Sequence, residues 1–270
     1  MTGKARSRHP AEDKGRRTTH FGFREVEASD KPRLVRGVFE SVAARYDLMN
    51  DLMSGGVHRI WKTAFVDWLA PRPGLRLLDV AGGTGDIALR VLRRLDERKA
   101  QAPAARPGQV TVCDYTLDML EVGRDRALDQ GRLGGIDWVC GDAQALPFAE
   151  RSWDAYTIAF GLRNVTDIDR ALAEAYRVLK PGGRFLCLEF SHVVLPVVER
   201  LYDHYSFKVL PALGGLVTGD REAYSYLVQS IRRFPAQDEL AGRIEGAGFS
   251  QVRVRNLTGG IAAIHSGWRV

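Results

Sequence analysis

From Leu75 to Phe190 the sequence alternates short apolar segments with longer amphipathic ones, and this alternation restricts the fold more than any other feature. The apolar segments have the length of buried strands, whereas the segments between them repeat apolar residues every three or four positions, as helices do. The five apolar segments are Leu75–Val80, Val110–Cys113, Ile136–Cys140, Trp153–Phe160 and Arg184–Phe190. Repeated strand–helix–strand units predict an α/β fold with a mainly parallel sheet and helices on both faces.

The regions outside this alternation add a tail, a cap and an insertion. Residues 1–18 are basic and are expected to form a disordered tail. Residues 19–73 carry apolar residues at helical spacing and are predicted to form an N-terminal helical cap. Residues 193–235 are aromatic and are predicted to form a helical insertion after the fifth strand, which would act as a lid. We therefore expect a single domain over residues 19–270.

Two further details of the domain follow from composition. Residues 96–109 are polar and rich in Ala, Pro and Arg, which indicates a long exposed loop. Residues Gln251–Asn256 and Gly260–His265 are strand-like and close the chain. Added to the five strands of the alternating region, they bring the predicted sheet to seven strands.

Charge and cysteine content limit the classes of partner. The net charge is +6, and much of the excess lies in residues 1–17, which could contact anionic lipid or nucleic acid, or remain solvated. The apolar runs are far shorter than the ~20 residues of a membrane span. The cysteines Cys113, Cys140 and Cys187 are scattered singly, so no metal site is expected.

A glycine-rich turn directly follows the first predicted strand. Its sequence is Ala81-Gly82-Gly83-Thr84-Gly85-Asp86. Glycines allow a tight turn and a close approach to a ligand, and ligands of open α/β sheets bind beyond the carboxyl ends of the strands. The turn alone also fits a nicotinamide dehydrogenase, because Gly83, Gly85 and Ala88 match the GxGxxA spacing of dinucleotide folds.

Acidic residues follow the next two predicted strands. Asp114 follows the second strand, where a carboxylate can accept hydrogen bonds from both ribose hydroxyls. Asp142 follows the third, where a carboxylate can accept a hydrogen bond from the exocyclic amine of adenine. Acids suit a cationic sulfonium cofactor, whereas a pyrophosphate prefers bare helix N–H groups. With Asp79, this set resembles that of class I S-adenosylmethionine-dependent methyltransferases, which implies a Rossmann-like fold.

Two longer strings narrow this resemblance to one family. Tyr46–Trp61, which reads YDLMNDLMSGGVHRIW, and Arg177–Ser191, which reads RVLKPGGRFLCLEFS, resemble signature stretches of the UbiE family of quinone-biosynthesis C-methyltransferases. Further matches are Thr19–Phe23, Phe160–Thr166, Tyr226–Ile231 and Gly259–His265. The resemblance covers the chain from Thr19 to Val270, and the two long strings together are highly specific.

The resemblance implies a substrate, a cofactor and contacts. The implied reaction is S-adenosylmethionine-dependent C-methylation of demethylmenaquinol, of 2-methoxy-6-polyprenyl-1,4-benzoquinol, or of both, by a cytoplasmic or membrane-peripheral enzyme. Carried over by position, the cofactor-binding residues are the glycines of the turn together with one Thr, two Asp and one Ala. They are Gly82, Gly83, Thr84, Gly85, Asp114, Asp142 and Ala143.

Methylation of an aromatic carbon requires help for the acceptor. Ionising an adjacent phenol makes the carbon nucleophilic, and holding that anion near neutral pH takes about three pKa units, or ~4 kcal/mol. Arg163, just beyond the fourth predicted strand, is the candidate that stabilises the quinolate, with Asn164 as a second donor. The alternative is that Arg163 is tied to a structural carboxylate.

Tyrosines are the candidates for substrate contact. Tyr46 lies in the first signature string, and Tyr202 and Tyr205 lie in the aromatic insertion. With the N-terminal helices they could wall the polyprenyl tail, or they could serve packing alone. A basic surface beside an apolar lid would suit peripheral contact with an anionic membrane or with other quinone-biosynthesis enzymes.

Other functions remain as alternatives. A base-methylating enzyme of the amino-group type usually carries an Asn/Asp-Pro-Pro-aromatic string where this chain has Gly161-Leu162-Arg163-Asn164, so no nucleic-acid partner is expected. A different class I small-molecule methyltransferase is the first alternative. A cofactor-binding scaffold of a quinone-biosynthesis complex is the second.

Overall fold

The computed structural model describes residues 18–42, 51, 54–102, 104, 106–193 and 221–270. Its strands are β1 (Thr18–Phe21), β2 (Arg24–Glu27), β3 (Arg76–Val80), β4 (Gln109–Asp114), β5 (Ile136–Cys140), β6 (Trp153–Ala159), β7 (Leu179–Phe190), β8 (Ser250–Leu257) and β9 (Ala262–Trp268). Its α-helices are α1 (Lys31–Val42), α2 (His58–Leu69), α3 (Asp86–Gln101), α4 (Leu117–Asp129), α5 (Ile168–Val178), α6 (Arg221–Arg233) and α7 (Gln237–Gly246).

The main sheet confirms the predicted architecture. It has seven strands in the order β5-β4-β3-β6-β7-β9-β8. The first five strands in this order are parallel to one another. The strand β9 pairs antiparallel with both β7 and β8. The chain runs outward from β3 to β5 and then returns to β6 on the other side of β3. The strand order therefore reverses at β3, where open α/β sheets bind their ligands.

Helices cover both faces of the sheet, as predicted. One apolar cluster packs α2, α3 and α6 against the sheet, with Phe65, Val91 and Leu227 at its centre. The other packs α5 and α7 against the opposite face, through residues such as Leu172 and Ile244. Both faces being buried explains why the central strands read as continuous apolar runs rather than as alternating ones.

The N-terminal cap departs from the helical prediction. An antiparallel hairpin of β1 and β2 precedes α1. Its turn contains Gly22 at φ 61°, a conformation that glycine adopts without strain. Phe21, the last residue of β1, is buried, whereas Phe23 lies in the turn and is half exposed. Thr18 belongs to β1, and residues 1–17 of the predicted tail lie outside the described residues.

The predicted loop over residues 96–109 is wrong in its first half, because α3 continues to Gln101. The helix α3 extends through charged residues, several of which favour helices. Two of these residues form ion pairs, Asp96 with Arg132 at 2.6 Å and Glu97 with Arg94 at 3.3 Å. Of the predicted insertion, α6 is described and helical, whereas residues 194–220 lie outside the described residues. None of the described helices is long and apolar enough to cross a membrane.

Trp138 of β5 supports the glycine turn from below. Gly85, at φ 74°, begins α3, and a methyl group there would stand 2.5 Å from the Trp138 ring. Gly123 of α4 approaches the same ring, because a methyl group there would also stand 2.5 Å from it and 2.9 Å from the Thr84 backbone. The indole therefore fixes the distance between α4 and the turn, and both glycines leave room for it.

Replacing Gly123 by alanine should destabilise the protein despite the helical setting. Alanine normally favours a helix over glycine by about 1 kcal/mol, but displacing Trp138 should cost about 1–3 kcal/mol. Gly242→Ala in α7, where a methyl group meets no atom within 4 Å, is the matched control and should stabilise by up to about 1 kcal/mol. Urea unfolding of both variants measures the difference. Equal gains at both sites would contradict the role of Trp138.

Candidate active site

A cleft of about 800 Å³ opens at the carboxyl ends of β3, β4 and β5, where the strand order reverses. Its floor comes from the strand ends, and α1 covers it with Pro32, Val35 and Phe39. Described residues that line the rest of it include Ala81, Gly83, Asp114, Tyr115, Met119, Gly141, Asp142, Ala143, Gln144, Phe160, Gly161 and Asn164.

Asp114 is held by the backbone on both sides of its carboxylate. Gly83 N–H donates to Oδ2 at 2.9 Å, and Thr116 N–H donates to Oδ1 at 2.8 Å. Burial raises the pKa of Asp114, and these N–H groups offset part of the rise. The carboxylate is thereby fixed against the glycine turn, and the lone pairs that remain can accept hydrogen bonds from vicinal hydroxyls in the cleft.

Asp142 and Ala143 form the opposite side of the cleft. Gln144 N–H donates to Asp142 Oδ1 at 2.8 Å, which folds the segment after β5 into a tight turn. Gly141 lets this turn approach β4, because a methyl group there would stand 2.9 Å from Cys113 Sγ. The cleft thus has a fixed carboxylate at each of two neighbouring strand ends, as the sequence predicts.

A small cavity lies on the other side of the glycine turn. Its lining includes Lys62, Asp79, Gly82, Thr84 and Asp86. Asp79 is fully buried, and its Oδ1 accepts a hydrogen bond from Thr157 at 2.7 Å. Its Oδ2 has no hydrogen-bond partner among the described residues, and burial raises the pKa of Asp79 to about 7. An orphaned carboxylate oxygen beside the turn fits a cationic ligand, because a positive group would restore the charged form.

Lys62 is the cation nearest to this cavity. It is buried, and its Nζ lies 2.8 Å from Asp86 Oδ2. Although burial opposes the change, Lys62 and Arg90 lower the pKa of Asp86 to about 2. Sequence reasoning missed Lys62, although a lysine on the buried face of a helix, directly after Trp61, is an available signal.

The residues of the glycine turn divide between the two cavities. Gly83 lines both cavities, whereas Gly82 and Thr84 line the small one. Thr84 is 3% exposed, and its Oγ1 accepts a hydrogen bond from Arg126 Nη1 at 3.2 Å. Gly85 lines neither and serves as the first residue before α3. In the described residues no group of His, Cys, Asp and Glu is arranged to hold a metal ion.

Arg163 forms a buried ion pair and does not line the cleft at the strand ends. Its Nη1 lies 2.8 Å from Glu189 Oε2 of β7, and both side chains are 1% exposed. The same nitrogen donates to Phe160 O at 2.6 Å. Burial raises the pKa of Glu189, and Arg163 and two backbone N–H groups counter it. This geometry fits the alternative of an arginine tied to a structural carboxylate, and the direct role of Arg163 on the quinolate stays a prediction.

Asn164 lies at the cleft, as the sequence predicts. It ends the 3-10 turn Leu162–Asn164 that follows β6. Its Oδ1 accepts a hydrogen bond from Tyr226 Oη of α6 at 3.0 Å. Lys31 of α1 donates to the carbonyl oxygen of the next residue, Val165, at 3.0 Å. Sequence reasoning missed Glu189, although a lone acid inside an apolar strand is the available signal.

All three predicted substrate contacts fall in segments that the structure does not describe. Tyr46, Tyr202 and Tyr205 lie outside the described residues. The described apolar wall of the cleft comes from α1 and from Phe160, which packs against Phe190 with ring centroids 4.9 Å apart.

The sequence is similar to that of characterised methyltransferases over most of its length. The sequence model of the ubiE/COQ5 methyltransferase family matches residues 25–269. The chain is 60% identical over 252 residues to the ubiquinone/menaquinone biosynthesis C-methyltransferase UbiE of Paracoccus denitrificans, covering 93% of this chain and 97% of that protein. It is 56% identical over 252 residues to the protein of the same name from Brucella abortus, covering 93% of this chain and 90% of that protein.

The fold is similar to those of solved methyltransferases. A possible histamine N-methyltransferase of Thermotoga maritima superposes with a TM-score of 0.59 at 19% identity, covering 87% of this chain and 100% of that one. Phosphoethanolamine N-methyltransferase 2 of Haemonchus contortus, solved with S-adenosyl-L-methionine, superposes with a TM-score of 0.52 at 17% identity. The superposition covers 78% of this chain and 52% of that one. At these identities the likeness shows the fold alone.

Arg163→Ala should destabilise the protein by about 3–5 kcal/mol, because it leaves Glu189 buried and unpaired. Arg94→Ala is the matched control, since it removes an arginine from exposed ion pairs with Asp67 and Glu97 and should leave the free energy of unfolding nearly unchanged. Urea unfolding measures both. If Arg163→Ala lost turnover with a stability no lower than that of Arg94→Ala, the structural role of Arg163 would be wrong.

Asp79 should make stability depend on pH. The folded protein holds the Asp79 proton more tightly than the unfolded chain does, because its pKa is raised to about 7. The stabilisation is therefore complete below about pH 4 and is lost as the pH rises through 7, by up to about 4 kcal/mol. Asp79→Asn keeps an acceptor for Thr157 and should lack this loss. Urea unfolding of both proteins at pH 5 and pH 8 tests this prediction. An equal loss of the free energy of unfolding in Asp79→Asn and in the unsubstituted protein would refute it.

Proposed function

Because the chain belongs to the ubiE/COQ5 methyltransferase family, we propose that it transfers a methyl group from S-adenosylmethionine to a ring carbon of a polyprenylated quinol. It is a methyltransferase of the ubiquinone or menaquinone pathway. The observation that carries the proposal is the hydrogen bond from Gly83 to Asp114 at 2.9 Å. This bond ties the acid after β4 to the glycine turn, in a chain that matches the family from residue 25 to 269.

The cleft is proposed to hold the adenosine half of the cofactor, and the small cavity its amino-acid half. Asp114 would hold the ribose hydroxyls, and Asp142 with Ala143 would hold the adenine, because these groups line the same cleft. Gly82, Gly83, Thr84 and Gly85 would bring the backbone close to the amino-acid half. The orphaned Asp79 oxygen and the buried Lys62 give that half one acceptor and one cation.

The acceptor oxygen of the quinol needs a hydrogen-bond donor. S-adenosylmethionine supplies an electrophilic methyl group, and the ring carbon attacks it best when a neighbouring oxygen is ionised. Asn164 lines the cleft and carries a side-chain NH2 group that can donate to that oxygen. A well-placed donor of this kind contributes about 100- to 1,000-fold in kcat, or about 2.7–4 kcal/mol, close to the ~4 kcal/mol that the phenol requires.

Arg163 stabilises the turn that carries this donor. Its charge is balanced by Glu189, and its guanidinium binds Phe160 O, so that it fixes the turn on which Asn164 stands. We therefore assign the contact with the quinol oxygen to Asn164 and the holding of the turn to Arg163.

The polyprenyl tail requires an apolar wall that continues to the surface. Pro32, Val35 and Phe39 of α1 supply its described part. Tyr46, Tyr202 and Tyr205 are proposed to complete it. A polyprenylated quinol resides in the membrane, so the enzyme is proposed to contact an anionic membrane surface, which the net charge of +6 favours.

The decisive experiment is product formation by the purified protein with two reduced quinols in separate assays. Release of S-adenosylhomocysteine and a mass gain of one methyl group on demethylmenaquinol, methoxy-polyprenyl-benzoquinol or both would support the proposal and assign the pathway. Asp114→Asn should abolish tight cofactor binding, whereas Asp125→Asn, an exposed change on α4, should not. Tight cofactor binding with neither product, with or without lipid vesicles, would indicate another acceptor or a scaffold and overturn the proposal.

A further inference from the structure

Tyr226 connects a distant helix to the turn that carries Asn164. Its Oη donates to Asn164 Oδ1 at 3.0 Å across 62 residues of sequence. The tyrosine is 4% exposed, so water competes little for its hydroxyl. The structure thus gives the Tyr226 hydroxyl a specific partner at the cleft.

The Tyr226 ring is itself held in place by the N-terminal hairpin. Phe21 of β1 stacks on it with centroids 4.2 Å apart and an interplanar angle of 19°. The hairpin is also tied to α6 directly, because Phe23 N–H donates to Gln229 Oε1 at 3.0 Å. A contact chain therefore runs from the hairpin through α6 to the turn, and the phenol has little freedom to move away from Asn164.

The direction of the hydrogen bond has a chemical consequence. A primary amide has an oxygen that only accepts and a nitrogen that only donates. Burial raises the pKa of the Tyr226 hydroxyl, so the group keeps its proton and remains a donor. With its oxygen engaged by the phenol, Asn164 presents its NH2 group on the opposite side of the amide.

The backbone and the side chain of this turn are held by different groups. Glu189 accepts a hydrogen bond from Arg163 N–H at 3.2 Å, and Lys31 donates to Val165 O at 3.0 Å, so both fix the main chain. Among the described residues, Tyr226 is the partner that hydrogen-bonds the Asn164 side chain. Removing the phenol oxygen should therefore change the amide orientation without unfolding the turn.

We propose that Tyr226 is a positioning residue, which fixes the Asn164 amide so that its NH2 group faces the oxygen of the methyl acceptor. The inference rests on the proposed function, because that function makes Asn164 the donor. It adds a role for the N-terminal hairpin, whose Phe21 holds the tyrosine ring over the turn.

Tyr226→Phe tests the proposal with little disturbance, because it keeps the ring and the stacking on Phe21. The kcat should fall about tenfold, the effect of about 1.4 kcal/mol expected for one hydrogen bond, and the KM for S-adenosylmethionine should change less than about twofold. Tyr176→Phe in α5 is the matched control, since its ring packs against Phe249 on the other face of the sheet, and it should leave both constants unchanged.

A double-mutant cycle separates positioning from a structural effect. If Tyr226 acts through Asn164, then Tyr226→Phe should lower kcat no further in an Asn164→Ala background. An equal fall in both backgrounds would overturn the proposal.

A spectroscopic measurement keeps the test independent of turnover. The side-chain NH2 signals of Asn164, assigned by their loss in Asn164→Ala, should shift or broaden in Tyr226→Phe and stay in place in Tyr176→Phe. Unchanged Asn164 signals in Tyr226→Phe would overturn the proposal. If the wild-type protein methylates neither quinol, the proposed function fails, while these signals still decide whether Tyr226 orients the amide.

Discussion

The buried ion pair between Arg163 and Glu189 is the interaction on which the catalytic end of the sheet depends. It joins the segment after β6 to β7, and it binds the main chain of the turn at two points, Arg163 N–H and Phe160 O. Two opposite charges at 1% exposure add little net stability, because their desolvation offsets their attraction. The pair instead restricts conformation, because a charged side chain inside the core has few arrangements that keep its partners. The turn is therefore held in one conformation, which fixes the position of Asn164 at the cleft.

The sequence predicted what is local and missed what is distant. The strand ends, the glycine turn and the positions of Asp114 and Asp142 follow from patterns within a few residues, and the structure places them as expected. The partner of Arg163 is 26 residues away, and nothing near Arg163 in the sequence identifies Glu189. The hairpin was missed for another reason, because two four-residue strands are too short for a clear alternation to be distinguished from helical spacing.

Two acids near the glycine turn, Asp79 and Asp86, differ in how their charge is balanced. Asp86 is matched by Lys62 and Arg90, and the pKa falls to about 2, whereas Asp79 has no cation against it in the described residues and its pKa rises to about 7. A dinucleotide site would need the reverse, because a pyrophosphate brings negative charge to this turn. The unbalanced carboxylate thus separates a sulfonium site from a dinucleotide site, a distinction that the GxGxxA spacing does not make.

The hairpin contact with α6 also bears on how the protein is made. Phe23 and Gln229 are 206 residues apart, and Trp61 donates to Thr258 across 197. Contacts of such separation form late, since the intervening chain must exist before they can close. On the ribosome, extension from Asn164 to Tyr226 takes on the order of seconds, during which the amide lacks its phenol and the apolar cluster under the cleft lacks α6. The hairpin is synthesised first but gains its packing partners on α6 only after residue 229 has been made.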